Sequence, residues 1–248
     1  MRYSLKFYES VSKRAETTAS EVEQLLTSIF KFRSMVDIGS GSGIWSSTFL
    51  KASPDLIVHA VDLPGTTFTH LQMFGKQVVL QEIDFEKFID MPPKTFDVSI
   101  CVEVVEHLTP NTSEMIMDYI AAYSKLAVFS GATPGQGGTH HINERAQEFW
   151  VDSMSSRGMI AFDVIRPILS GIKDVPSYYK DNIFLFVGKM HLHDPQVLEA
   201  ISKIQRLENY NFQDRRSDVN RIVHSMVRFL PSRVVTSLAN LKSKLPFN

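Results

Sequence analysis

Apolar and polar positions in this chain alternate between two periods. Residues 16–32 place Val22, Leu25, Leu26, Ile29 and Phe30 on one face at helical spacing, which predicts an amphipathic helix. Short apolar runs then recur near 34–38, 57–62, 78–83, 96–101 and 126–130, with helical patterns between them. Two more runs, at 161–168 and 183–188, bring the expected strands to seven. Strands that alternate with helices build βαβ units, so the expectation is an α/β fold with a doubly wound, mostly parallel seven-stranded sheet. Ligand loops in such a sheet lie at the carboxyl ends of the strands, near the switch in strand order.

Beyond about Lys189 the pattern changes. Asp194-Pro195 opens a helix running to roughly Tyr210, with Val197, Ile201, Ile204 and Leu207 as its apolar stripe. From Gln213 to Asn248 the chain turns basic: Arg215, Arg216, Arg221, Arg228, Arg233, Lys242 and Lys244 face only Asp214 and Asp218. The expected organisation is therefore a main domain over 1–190 and a basic helical extension over 191–248. The reading adopted for the extension is an accessory helical hairpin with a solvated basic face, a candidate homodimer contact. Its alternative is contact with an anionic partner such as a membrane surface, a polyanionic glycan or RNA.

Composition narrows the function classes. At 248 residues with 44% hydrophobic residues, the chain can bury one sizeable core. A net charge of -1 argues against a dedicated nucleic-acid binder. Cys101 is the only cysteine, which excludes an intramolecular disulfide and suits a reducing, cytoplasmic setting. Its apolar surroundings make it a core residue. The N-terminus lacks the apolar run of a signal peptide, and no stretch of the sequence reads as a transmembrane segment.

The most informative chemistry is the run Val36-Asp37-Ile38-Gly39-Ser40-Gly41-Ser42-Gly43. An apolar strand breaks there into a tight glycine loop, and Ile44 to Leu50 continue at helical spacing. A dinucleotide fingerprint would need its third glycine at the position of Ile44. Asp37, just ahead of the first glycine, would also repel a pyrophosphate, so a cationic or zwitterionic ligand fits better.

This loop resembles motif I of class I S-adenosylmethionine (SAM) dependent methyltransferases, and the resemblance runs from about Met35 to Lys189. It implies SAM as cofactor, bound by Asp37, Gly39, Ser40, Gly41 and Gly43. Further acids close later strands in order. Asp62 matches the ribose acceptor, with Leu63 against the adenine, and Asp84, followed by Phe85, matches the adenine-amino acceptor. Glu103 follows the fourth strand and is a further cofactor candidate.

Glu103-Val104-Val105-Glu106-His107 carries the next signal. On a helix, Glu103, Glu106 and His107 would share one face, and two carboxylates with an imidazole can hold a divalent cation. The alternative is a cofactor contact, a surface acid and a packed histidine. The pattern resembles ubiquinone-pathway O-methyltransferases and small-RNA 2′-O-methyltransferases, in which such residues bind metal and a later histidine joins them. Here that histidine is His141, followed by Glu148-Phe149-Trp150. The ligand set so implied is Glu103, Glu106, His107 and His141, and it would accept magnesium, manganese, iron or zinc.

Methyl transfer to an alcohol requires alignment and a sink for the acceptor's proton. His141 and His140 are the candidate bases, and ligation would take His141 out of that role. Asn143 reads as a cap for a helix starting near Glu144, with substrate contact as its alternative, and Tyr178, Tyr179, Lys180 and Asn182 read as a surface loop, with the acceptor pocket as theirs. The leading function is an SAM-dependent O-methyltransferase for a small molecule or glycan precursor. An RNA 2′-O-methyltransferase and a non-catalytic methyltransferase-like binding protein are the alternatives.

Overall fold

The computed structural model describes residues 5–66, 68–87 and 91–207. The basic stretch from Gln213 to Asn248, and with it most of the expected extension, lies outside the described residues. The elements run α1 (Leu5–Ile29), β1 (Ser34–Ile38), α2 (Ile44–Ala52), β2 (Ile57–Asp62), β3 (Val78–Glu82), β4 (Phe96–Cys101), α3 (Pro110–Tyr123) and β5 (Ser124–Phe129). They continue with α4 (Gln147–Ser156), β6 (Met159–Phe162), α5 (Ile165–Ser170), α6 (Ser177–Asn182), β7 (Phe184–Gly188) and α7 (Pro195–Leu207).

The sheet has seven strands in the order β3-β2-β1-β4-β5-β7-β6. β1 pairs in parallel with both β2 and β4, while β7 runs antiparallel between β5 and β6. The chain winds outward in one direction from β1 to β3, then returns to the other side of β1 with β4. The crevice at the ends of β1 and β4 is thus the switch point where ligands bind in doubly wound sheets.

Alternation along each strand feeds two apolar layers. Met35, Val58, Val98, Leu126 and Val128 face the layer of α1, α2, α5, α6 and α7. Val36, Ile38, Val61, Cys101, Ala127 and Phe129 face the layer of α3 and α4. Cys101 is fully buried in that second layer. Successive side chains point to opposite faces, so strands covered on both sides read as continuous apolar runs.

Two strand and helix expectations are corrected. The sixth strand ends at Phe162, and residues 165–168 belong to α5 rather than to a strand. The apolar run continues across the boundary because α5 buries Ile165 and Leu169 in the same core. The break is fixed by Asp163 and Arg166, a fully buried pair joined by two hydrogen bonds of 2.7 and 2.8 Å. Arg166 also donates to the Gln147 side chain and to the Asp181 carbonyl, and lies over the Phe184 ring at 4.2 Å. This one guanidinium joins α4, α5, α6 and β7.

The helix after Lys189 forms as α7, with the Asp194 carboxylate accepting from the Gln196 amide at its start. Val197, Ala200 and Ile204 are buried in the core layer shared with α1. No helix among the described residues is long and apolar enough to cross a membrane.

Removing one partner of a buried ion pair leaves the other charge uncompensated. Arg166→Leu is therefore expected to lower the unfolding free energy by about 3–5 kcal/mol, read from urea denaturation. A loss within the range of an exposed substitution would show that the pair is not an anchor.

Candidate active site

Gly39, Gly41 and Gly43 all adopt positive φ, at +71°, +56° and +83°. Backbone hydrogen bonds from Gly39 and Ser40 to the Val61 carbonyl pin this loop to the end of β2. The Asp62 carboxylate adds to that anchoring: Oδ2 accepts from the Gly41 amide, and Oδ1 accepts from the Leu63 amide and the Thr66 hydroxyl. Burial raises the Asp62 carboxyl, and those hydrogen bonds oppose the rise. The Ser40 hydroxyl is buried and has no hydrogen-bond partner, so the loop holds an unused polar atom.

Asp37 is buried and accepts from the Ser46 hydroxyl at 2.5 Å. Burial pushes its carboxyl up to about 7, with the Ser46 hydroxyl opposing and the nearby Asp62 charge adding. Asp84 is partly exposed, paired with Lys87 at 3.0 Å. Phe85 is buried in the α3 and α4 layer, with Leu63 half-buried against it.

Glu103 to His107 do not form the expected helix. Glu103 has φ +57°, and only Val105–His107 make a single 3₁₀ turn. The break lies at Glu103 and Val104, both outside helical geometry, and Pro110 then holds Thr109 extended so that α3 restarts there with Pro110 in its first turn. The Glu86 carboxylate accepts from the Thr109 amide and from both the Thr109 and Thr112 hydroxyls, fixing that restart.

The turn still gathers the expected ligands, with one change. Glu106, His107 and His141 each place a ligand atom so that all lie within 4.8 Å of one another. Glu103 stands beside this group, held by other partners: its Oε1 accepts from the Ser130 hydroxyl and its Oε2 from the Gln136 amide. The Glu106 side chain is fully buried with no well-aligned hydrogen bond to either oxygen, and its own amide, the Ala132 amide and the Glu103 carboxyl are its polar neighbours. Burial, reinforced by the neighbouring Glu103 charge, pushes the Glu106 carboxyl well up. His107 is pushed down to about 4, first by burial and then by His141. Each of these shifts disfavours the charged form of a lone side chain, and a cation at the centre would reverse the cost for Glu106.

His141 is brought here by the chain that follows it. The Ile142 and Asn143 amides both donate to the Glu106 carbonyl. His141 stands edge-on to His107, ring centres 4.7 Å apart, and its Nδ1 lies 2.9 Å from Glu144. A Cβ on Gly138 would meet the His141 ring at 2.1 Å, so only glycine leaves room for the imidazole. His140 is exposed at φ +68°.

Asn143 is not a helix cap, because α4 starts at Gln147. It is buried and donates to Ser113 and to the Val105 carbonyl, tying the loop to the turn. Residues 177–182 are not a surface loop either: they form α6, with Tyr179 buried edge-on to Trp45. Tyr178 faces Glu103 electrostatically, and burial with that charge pushes its hydroxyl up to about 12, Arg14 opposing. Sequence reasoning missed Ser130 and Gln136 as partners of Glu103, since polar residues 27 and 33 positions away carry no local signal.

Residues 36–121 match the methyltransferase domain family. The described residues have the fold of class I SAM-dependent methyltransferases. A ubiquinone biosynthesis O-methyltransferase from Methylococcus capsulatus is 35% identical over 97 residues, which cover 38% of this chain and 39% of that protein. Human N-acetylserotonin methyltransferase, solved with SAM, aligns with a TM-score of 0.52 at 19% identity, over 74% of this chain and 55% of that one. The methyltransferase domain of bacterial CtHen1-C aligns with a TM-score of 0.53 at 15% identity, over 71% of this chain and 98% of that one. The two structural likenesses establish the fold, and the sequence match is a likeness over 97 residues to one O-methyltransferase. The chain spans about two fifths of the curated relative and about half of the human enzyme.

Asp37, taken as the partner of a cationic cofactor group, gives a pH test. Its carboxyl is largely protonated below about 7 without ligand, and a bound cation favours the ionised form. Binding then releases a proton, so SAM affinity is expected to fall by up to tenfold for each pH unit below about 7. Calorimetry from pH 5.5 to 8.5 checks this, with Asp37→Asn expected to flatten the dependence.

Proposed function

We propose that this protein is an SAM-dependent O-methyltransferase acting on a hydroxyl of a small molecule or glycan precursor, with a divalent cation at Glu106, His107 and His141. The observation that carries the metal part is the Glu106 carboxylate, buried with no well-aligned hydrogen bond and with two imidazoles beside it. The glycine loop and Asp62 sit at the ends of β1 and β2, beside Glu103 at the end of β4, so cofactor and cation sites share one crevice.

Within this reading the chain's residues divide the work. Gly39, Ser40, Gly41 and Gly43 present the backbone that receives the cofactor, with Asp37 and Asp62 as its acids. Leu63, Asp84 and Phe85 lie on the adenine side. Glu106, His107 and His141 fit a divalent ion such as magnesium, manganese, iron or zinc by donor type. A bound cation supplies Lewis acidity that makes an acceptor hydroxyl easier to deprotonate. With His141 in the ligand set, His140 is the histidine left to receive the acceptor's proton. Alignment of the acceptor contributes about 7–11 kcal/mol to reactions of this kind.

Transfer of tritiated methyl from SAM to a panel of hydroxylated small molecules, glycan precursors and RNA oligonucleotides tests the reading. Chelation and Glu106→Ala are each expected to lower the rate roughly 10–100-fold, with SAM binding retained. Activity indifferent to both would remove the cation from the mechanism. Transfer to RNA alone would give the acceptor role to the nucleic-acid alternative, and failure to bind SAM would leave only the non-catalytic one.

A further inference from the structure

β3 closes one side of the sheet, and among the described residues no strand pairs with its outer edge. The Ile83 amide donates to the Asp62 carbonyl, so Val79, Gln81 and Ile83 turn their backbone groups toward β2. Backbone groups alternate in direction along a strand, so those of Val78, Leu80 and Glu82 point outward. Edge strands are ordinarily guarded by a charge, a proline or a bulge. Here the middle of the edge is Val78-Val79-Leu80, with Val79 42% and Leu80 47% exposed, one on each face of the sheet. Met73, in the turn Gln72–Gln77 that leads into the strand, is 79% exposed. Charge stands only at the two ends, as exposed Lys76 and exposed Glu82, and the Glu82 Oε1 is fixed by the Gly65 amide.

We infer that the outer edge of β3 is a self-complementary docking surface, which takes a second copy of this chain about a two-fold axis through Val79. The run Lys76-Gln77-Val78-Val79-Leu80-Gln81-Glu82 reads alike in chemistry from both ends, with the charge inverted. Antiparallel pairing centred on Val79 brings Lys76 to the partner's Glu82, Gln77 to the partner's Gln81 and Val78 to the partner's Leu80. Cation then meets anion, amide meets amide and apolar meets apolar, the pairs that stabilise neighbouring strands. The outward backbone groups of Val78 face those of the partner's Leu80, so the two exchange N–H···O=C bonds. Val79 falls on the axis, at the closer position between such pairs. The neighbouring two-fold registers fit worse: centring on Leu80 sets Val79 against Gln81, and centring on Val78 sets Leu80 against Lys76. Parallel pairing in register sets Lys76 against Lys76 and Glu82 against Glu82, and does not close. The antiparallel contact closes as a dimer, with one sheet running through both copies. It stands apart from the cation reading above.

Sedimentation equilibrium of the full-length protein is expected to show a dimer at micromolar concentration. Lys76→Glu sets like charges against each other at both ends of the contact and is expected to weaken the dimer about tenfold. The register is read by oxidising single-site cysteine variants, since the native Cys101 is buried. Val79→Cys brings two thiols together on the axis, where a backbone separation of about 4.5 Å admits a disulfide, and a covalent dimer is expected. Leu80→Cys lies opposite the partner's Val78 and is expected to cross-link poorly. All three positions are exposed, and circular dichroism checks that each variant keeps the fold. A monomeric wild type overturns the inference and leaves the edge to another segment of the chain, such as residues 213–248. A dimer that Lys76→Glu leaves unchanged places the contact elsewhere and overturns it too. Cross-linking of Leu80→Cys ahead of Val79→Cys, or assembly beyond a dimer, overturns the two-fold axis at Val79 and the inference with it.

Discussion

A carboxylate closed off from water with no well-aligned hydrogen-bond donor is the constraint around which this crevice is built. Charge is costly there, so Glu106, fully buried beside Glu103, is pushed toward its neutral form. Its backbone carbonyl receives the two amides that bring the His141 loop into place. The same residue thus assembles the site through its main chain and leaves its side chain without a well-aligned hydrogen bond.

The stable parts of the molecule converge on that arrangement. The buried pair of Asp163 and Arg166 sets the position of α6, and α6 sets Asn182 and the two tyrosines against the crevice. On the other side, Glu86 ties the segment after β3 to the first turn of α3, immediately beyond His107. Asp62 holds the glycine loop from the end of β2. Each tie is a charged or polar group anchored at the carboxyl edge of the sheet, while both faces of the sheet are closed by apolar packing.

Strand positions were legible because buried parallel strands are continuous apolar runs, and the glycine loop was legible because three alternating glycines have few other uses. Glu106, His107 and His141 were legible as a resemblance. The helix expected at Glu103 failed because spacing alone does not register the left-handed backbone of Glu103, which bends the chain out of β4 before the single turn at Val105–His107. The sixth strand was drawn too long because α5 buries apolar residues with no polar interruption except Asp163 and Arg166, whose pairing is invisible without the fold. Residues 177–182 looked like a polar loop, since nothing local shows that Asn182 and Tyr179 face inward. The partners of Glu103, Ser130 and Gln136, both lie in the segment after β5, and only the sheet order brings them together.

Gly39 links the two halves of the crevice directly. A Cβ there would lie 2.4 Å from the Val104 side chain, so the missing methyl of the cofactor loop is the space in which the Glu103–His107 turn rests. The donor side and the cation side are therefore not independent modules that a hinge could bring together. They form a single hard contact, with their spacing set by the width of one valine. A contact of this kind fixes an interval as a ruler does, between the glycine loop on one side and the Glu103–His107 turn on the other. Changes in the surrounding loop or in α6 would leave that interval as it is.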